Sequence, residues 1–399
     1  MRIAKARSAR KPVAQPLVER LECRQFLSAT TDVFSQTNLV SDGAVPAANP
    51  PDTQLLNPWG VSFAPNGVFW VSDNNAGVAT LYDGAGVKQG LVVNIPGGGG
   101  QDGAPTGQVF NGTSGFVVTK GTASGAAVFI FAGEDGGISA WSPKVDLHNA
   151  QLEFDGNTQP GGAVYKGLAI GNVKTNIYLY AANFRSGNVD VFNSGFQEQH
   201  WKGAFQDKKI PKGFAPFNVQ NLNGQIAVTY AKQDAAKHDD IGGAGNGFVD
   251  IFSTSGHLVR RLRHGNFLDS PWGLAIAPKS FDKLAGDILV GNFRSGNIDA
   301  FTRSGRFVTQ LSDTNNNPIS IDDLWALTPG TGATGSSTQS IYFTAGINDE
   351  ADGLFGRLDF SKADKLKPTL SPTPAPVTIP TTSPTPVTSP TPTTYPMGW

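Results

Sequence analysis

Six times between residues 57 and 360 the chain repeats one order of short apolar runs and glycine-broken turns, and this repetition restricts the fold more than any other feature. Each unit opens on an apolar run: NPWGVSF (57–63), APTGQVF (104–110), VYKGLAI (164–170), APFNVQN (215–221), SPWGLAI (270–276) and DDLWALT (322–328). A second run follows in each (FWVSD, AVFIFA, IYLYAAN, QIAVTYA, DILVGN, SIYFTA), and then a third (VATLYD, ISAWS, NVDVFN, FVDIFS, NIDAFT, GLFGRLDF). Most units end in a more polar fourth run, such as KQGLVVNIP or HLVRRLRHG. Short alternating apolar runs between Gly/Asn/Asp clusters are the signature of strands joined by tight turns. The 48 glycines and the low charged fraction of 16% fit a turn-rich, all-β chain.

A period of roughly 40–55 residues carrying four strands is one blade of a propeller. A lone blade leaves both faces of its sheet uncovered, so six blades are expected to pack radially into a closed ring. The expected fold is therefore an all-β, six-bladed β-propeller over residues 31–360. The last unit, ending at RLDF, has no fourth run of its own. The segment DVFSQTNLVSD (32–42) has the length and alternation to supply it, so an N-terminal strand should close the ring. The near-identical stretches NFRSGNVDVF (183–192) and NFRSGNIDAF (292–301) then fall at the connection between second and third strands in units three and five. Gly187 and Gly296 would take the left-handed turn position there.

The formal net charge of −1 provides no basic field for nucleic acid or anionic lipid. No run approaches the roughly 18–20 apolar residues that a membrane helix needs. Cys23 is the only cysteine, so the repeat region holds neither a disulfide nor a thiolate metal site. The leader MRIAKARSARK is basic without an apolar core, unlike an ordinary signal peptide. VERLECRQFLSAT (18–30) resembles the LEPR-x-L-L-S-A sorting motif of exported planctomycete proteins. The match is at Leu21, Glu22, Arg24, Leu27, Ser28 and Ala29, with Cys23 and Phe26 departing from it. KPTLSPTPAPVTIPTTSPTPVTSPTPTTYPMGW (367–399) is a Pro/Thr/Ser spacer of polyproline character. Residues 1–30 are thus expected to be an export segment and 361–399 a tail. The chain is expected to be monomeric and extracytoplasmic, either secreted or cell-surface associated.

The units resemble the NHL type of repeat, P-x-G-[VL]-A followed by G-x-[LFI]-[WY]-V-[SA]-D/N and G-x-[VI]-x-[VAL]-[FY]. NPWGVSFAPNGVFWVSDNNAGVATLY is the fullest instance. TGQVFNGTSGFVVT, YAKQDAAKHDDIGGAGNGFVDIF and YFTAGINDEADGLFG extend the likeness to an extracellular, planctomycete-type bacterial family of NHL-like propellers. That resemblance implies a fold and an export route, and no activity.

In such a ring the first strands line the axis. The loops from second to third strand crowd one face, together with the connections between blades. Two of those loops are enlarged. AKQDAAKHDDIGGAGNG carries His238, Asp239 and Asp240; AGINDEADG carries Asp349 and Glu350. Loops longer than the fold requires point to function. Asp239, Asp240, Asp349 and Glu350 are candidate ligands for Ca²⁺ or another divalent cation, although no loop has EF-hand spacing; solvated Asx turns are the alternative. Arg185 and Arg294 occupy equivalent positions, where they either grip an anion bidentately or fix one blade to the acidic loop of the next. Asp73 and Asn74 sit in the equivalent loop of unit one. Trp59, Trp272 and Trp325 share the first position of the innermost strand with Phe217, Thr106 and Lys166. There they either stack on sugar rings or wedge between blades.

No catalytic signature is present: G-x-S-x-G and H-E-x-x-H are absent, and GGAGNG precedes a strand instead of a helix. The function expected is a binding module for an extracellular glycan or protein, working through the loop-rich face. Two alternatives remain: a metal-assisted hydrolase or lyase with His238 as base, and an architectural cell-surface component.

Overall fold

The structure is a computed structural model, and it describes residues 31–363. The sorting-like segment with Cys23 and the Pro/Thr tail lie outside the described residues. Six four-stranded antiparallel sheets are arranged as the blades of a ring. Their innermost strands are Pro58–Ser62, Pro105–Phe110, Tyr165–Val173, Phe214–Leu222, Pro271–Ile276 and Leu324–Pro329, each touching the next and the last returning to the first. The apolar runs become these strands because alternate residues face the two neighbouring blades. The core is accordingly divided into clusters lying between blades, such as Tyr180, Val219, Ile226 and Phe252 between blades three and four.

The ring closes as the sequence predicts. Thr31–Ser41 is the outermost strand of the sixth sheet and runs antiparallel to Leu354–Ala363, with Phe34 opposite Phe360. Phe34 is buried and also packs on Phe281 of blade five. A feature that the repeat does not predict is the hairpin of Val117–Lys120 and Ala123–Ala126, inserted between the first and second strands of blade two. Its leading Phe116 is buried against Phe196 of blade three. Among the described residues no helix is long and apolar enough to cross a membrane.

One irregularity recurs in all six blades. The pairing of first and second strands slips between Pro58 and Val61, Pro105 and Gln108, Tyr165 and Gly167, Pro216 and Asn218, Pro271 and Gly273, and Leu324 and Leu327. A bulge bends its strand and re-aims the side chain it carries. The residues at these bulges are Trp59, Thr106, Lys166, Phe217, Trp272 and Trp325. Backbone groups that leave the ladder here need other partners, and threonines supply several. The Thr229 hydroxyl accepts from Asn218 N at 2.9 Å, and that of Thr344 accepts from Ala326 N at 3.1 Å.

The glycine that follows the bulge residue in four blades has a packing cause. A Cβ at Gly273 would lie 2.6 Å from the Trp325 carbonyl oxygen of the next blade. At Gly60 and Gly107 it would come closer still to backbone atoms of the next inner strand. Gly107→Ala is therefore expected to destabilise the ring by roughly 2–3 kcal/mol or more. Gly90→Ala, which meets no atom within 4 Å, should be close to neutral. Urea unfolding of the two variants checks this; equal stabilities would contradict the close-approach argument.

Candidate functional site

The bulges point a set of aromatic side chains at the axis, just below the loop-rich face. Trp59 stacks on Trp325 at 3.4 Å between ring centroids, and Trp325 stacks on Phe293 at 3.9 Å. Trp272 stands edge-on to both tryptophans, at 6.1 and 5.7 Å. Trp59, Phe217 and Trp325 are each 1% exposed, and Trp272 is 3% exposed. These rings spend their faces on one another, so they form a plug across the tunnel and offer no open platform for a sugar. The Trp272 indole N–H donates to the Lys166 carbonyl at 3.0 Å, and that of Trp325 donates to Asn57 Oδ1 at 2.9 Å.

Lys166 takes one of the six plug positions, and it organises the charges above. Its side chain is 2% exposed, with the ammonium 5.1 Å from the Trp59 ring centroid. The ammonium is ion-paired with Glu134 and reaches Asp239 Oδ1 at 3.4 Å. The Glu350 carboxylate adds its field from across the mouth. Glu134, Asp239 and Glu350 come from the second-to-third-strand loops of blades two, four and six, so every other blade contributes one carboxylate. Burial draws the lysine pKa down, but the carboxylates outweigh it and hold the group above its ordinary range, charged and tied.

The neighbours fix these carboxylates in turn. Asn74 Nδ2 donates to Glu134 Oε2 at 2.9 Å. His238 Nδ1 lies 2.8 Å from Asp239 Oδ1; this bond and the Lys166 charge hold Asp239 well below the usual carboxylate range. The same bond raises His238, chiefly through Asp239. Glu350 is presented by an unusual backbone. Asn348, Asp349 and Glu350 all have positive φ, at 60, 58 and 65°, a left-handed turn that side-chain-bearing residues rarely make in succession. The Glu350 N–H donates to Gly346 O at 2.8 Å to close that turn, and Asn57 Nδ2 donates to Glu350 Oε2 at 2.9 Å. Asn57 thus ties the loop to the plug through Trp325. Burial pushes Glu350 up to about 7. Burial first, and then Asp322, push Asp323 up to about 6.

The other candidates are placed differently. Asp240 accepts a bidentate pair from Arg294, with Nε at 3.1 Å and Nη2 at 3.0 Å, and a hydrogen bond from Ser270. Arg294 therefore locks blade five to the loop of the preceding blade, and not to the next one. Arg185, its equivalent in blade three, is half-buried beside Gly162 and makes no such clamp among the described residues. Asp73 is fully buried inside blade one, where it accepts from the Thr80 hydroxyl at 2.7 Å. Asn183 and Asn292 donate to Asp190 and Asp299 at the same place in blades three and five, at 2.8 and 2.9 Å. The repeated NFRSGN is thus an internal blade clamp followed by a turn.

The proposed cation ligands do not converge as a set. Asp240 is consumed by Arg294 and Asp349 is exposed. The group that does converge is Glu134, His238 and Asp239, whose ligand atoms lie within 4.8 Å of one another. Lys166 Nζ is bonded to both of its carboxylates. Glu134 was not among the residues that the sequence singles out, and Lys166 was placed in the inner ring but not among the candidate site residues. The signal for Lys166 was a charge at a position otherwise filled mostly by aromatic rings.

No family model matches the chain. It is 30% identical over 350 residues to the uncharacterized protein R648 of Acanthamoeba polyphaga mimivirus, covering 86% of the chain and 84% of R648. It is also 30% identical over 325 residues to protein L690 of the same virus, covering 80% and 84%. Among solved structures, a streptogramin B lyase matches with a TM-score of 0.44 and 11% identity, over 83% of this chain and 98% of that one. A protein of unknown function from Bacteroides thetaiotaomicron matches with a TM-score of 0.48 and 8% identity, over 82% and 77%. These structural likenesses carry nothing about this chain's chemistry.

Two outcomes are expected for the mouth. Lys166→Met should cost roughly 3–5 kcal/mol, because it leaves the largely buried Glu134 carboxylate without its counter-charge; adding Glu134→Gln should recover part of the loss in urea unfolding. Glu350 sits near 7, against 4.5 in the unfolded chain, so the folded state keeps its proton longer. The Glu350 contribution to stability therefore falls as pH rises from about 4.5 to 7 and levels off above. Glu350→Gln should flatten that part of the profile and stabilise the protein at pH 8 by up to roughly 3 kcal/mol, at about 1.4 kcal/mol per pKa unit. A profile unchanged by the substitution would contradict this account.

Proposed function

We propose, for a chain that belongs to the same family as the mimivirus proteins R648 and L690, that it is a binding module whose loop-rich face receives a glycan or protein ligand. The observation that carries this reading is the mouth itself. Two enlarged loops, around residues 232–247 and 346–353, bring Asp239 and Glu350 to the charged mouth above the aromatic plug. Lys166 and Glu134 complete its charges. The polar groups are pre-positioned by hydrogen bonds, and a ligand that pairs with them pays little ordering entropy on the protein side. Catalysis is less well supported. The lysine is buried and charged, and one His238 ring nitrogen is engaged with Asp239. Outside the cytoplasm is the working place we assign, on the strength of the sorting-like segment and the Pro/Thr tail, together with the likeness to exported planctomycete-type propellers.

Full-length protein applied to a glycan array and a displayed peptide library tests the reading. A ligand bound by the wild type should lose at least tenfold in affinity when both loops are shortened to the length of the other blades. Retained affinity would refute the assignment of the face.

The convergence of Glu134, His238 and Asp239 supports a second reading, a divalent cation at the mouth. A cation there would have to displace the Lys166 ammonium, which already occupies the space between the carboxylates. The expected outcome is a melting temperature unchanged by EDTA and no stoichiometric Ca²⁺ by elemental analysis. A drop with EDTA that Ca²⁺ reverses would favour the cation.

A further inference from the structure

The plug seals the tunnel near one end only. Beyond the bulges each inner strand continues toward the opposite face, where the first-to-second-strand connections lie. There the strands line a half-open cavity of about 220 Å³ to which all six blades contribute. Trp272 is the one plug side chain on its wall, so the cavity lies directly beneath the plug. We propose that this axial cavity is a second binding site, on the face opposite the charged mouth, and that it takes a single small, neutral, polyhydroxylated molecule such as a monosaccharide or cyclitol.

The chemistry of the wall selects the ligand class. Among the described residues no Asp, Glu, Lys, Arg or His lines the cavity. An ion entering it would lose hydration without gaining a counter-charge. A wholly apolar guest is also disfavoured, because amide and hydroxyl groups alternate with the aliphatic ones around the wall. Gln108 and Asn221 are held rigidly. Gln108 Nε2 donates to Gly60 O at 2.8 Å and Trp70 O at 2.9 Å, while its Oε1 accepts from the Ser62 hydroxyl at 3.0 Å. Asn221 Nδ2 donates to Ile170 O at 2.8 Å, bridging blades four and three. Gln220 and Thr328, by contrast, make no side-chain hydrogen bond among the described residues, although both line the cavity. They leave donors and acceptors from two different blades free to meet hydroxyl groups on a guest.

Size narrows the class further. Drug-sized ligands occupy pockets of roughly 300–1,000 Å³, and this cavity lies below that range. One ring with its hydroxyls fits, whereas a chain of sugars would have to protrude past the rim. Rigid walls and a preformed shape also mean that binding requires no rearrangement of the ring.

The test uses the full chain and five neutral probes: glucose, galactose, mannose, N-acetylglucosamine and myo-inositol. Saturation-transfer NMR at millimolar concentration reads binding, with glucuronate as the charged contrast. At least one neutral probe should bind, and glucuronate should bind at least tenfold more weakly than the best of them. Gln220→Leu and Thr328→Val remove the free polar groups with little change of shape; either should weaken that probe at least tenfold without changing the melting temperature. Gln220→Met and Thr328→Ala stand in for whichever of these fails to fold. Absence of binding by all five probes overturns the proposal. So does binding that survives the substitutions unchanged, since the probe would then sit elsewhere.

Discussion

Everything in this ring depends on how closely six strands can approach one axis. Backbones converging at the centre leave no room for a Cβ between neighbours, which is why Gly60, Gly107, Gly167 and Gly273 follow the bulge. In the other two blades the same place holds Asn218 and Ala326. Asn218 uses its side chain to bond the Trp272 carbonyl at 2.7 Å, stitching blade four to blade five where glycine would only make space. The bulge and the glycine are two halves of one device. The first turns a large side chain onto the axis, and the second lets the next strand pass beside it.

Filling the axis with indoles has an electrostatic consequence. A plug excludes water, so the single ammonium placed in it must be neutralised nearby or lose its proton. Three carboxylates from alternate blades meet that requirement, and they can do so only if their loops lean inward. The left-handed turn at Asn348–Glu350 is how blade six leans. The clamp between Asp240 and Arg294 holds the blade-four loop to blade five, two residues from His238 and one from Asp239. The charged mouth is thus a result of where Lys166 sits, and not an independent decoration of the loops. A propeller of this kind is compatible with a binding module, and its mouth is built from contacts that fix charge in place.

Much of the fold was legible in the sequence because strands and turns leave local marks. Alternation, the glycine clusters and the missing fourth run in the last unit give six blades and a closing strand without reference to any distant contact. The site was less legible, for a physical reason. Which loop residue reaches the axis depends on contacts between blades that are far apart in sequence, and spacing along the chain does not encode them. Asp73 and Asp240 have the composition of binding residues, yet one bonds Thr80 inside its own blade and the other bonds Arg294. Glu134 stands in a short, unremarkable loop and becomes central only because Lys166 lies opposite it. The tryptophans take neither course the sequence suggested: they pack on one another across the axis, where their faces are buried.

The plug also separates two chemistries that one tunnel could not otherwise hold. Above it, charges from blades two, three, four and six meet around the buried Lys166 ammonium. Below it, the walls are neutral and the hydrogen-bonding groups belong to amides and hydroxyls. An open tunnel would let water connect the two and weaken the field around Lys166. With the aromatic layer in place, a guest on either side meets only the groups of that side. The same packing that gives the ring its stability thereby makes its two ends chemically independent surfaces.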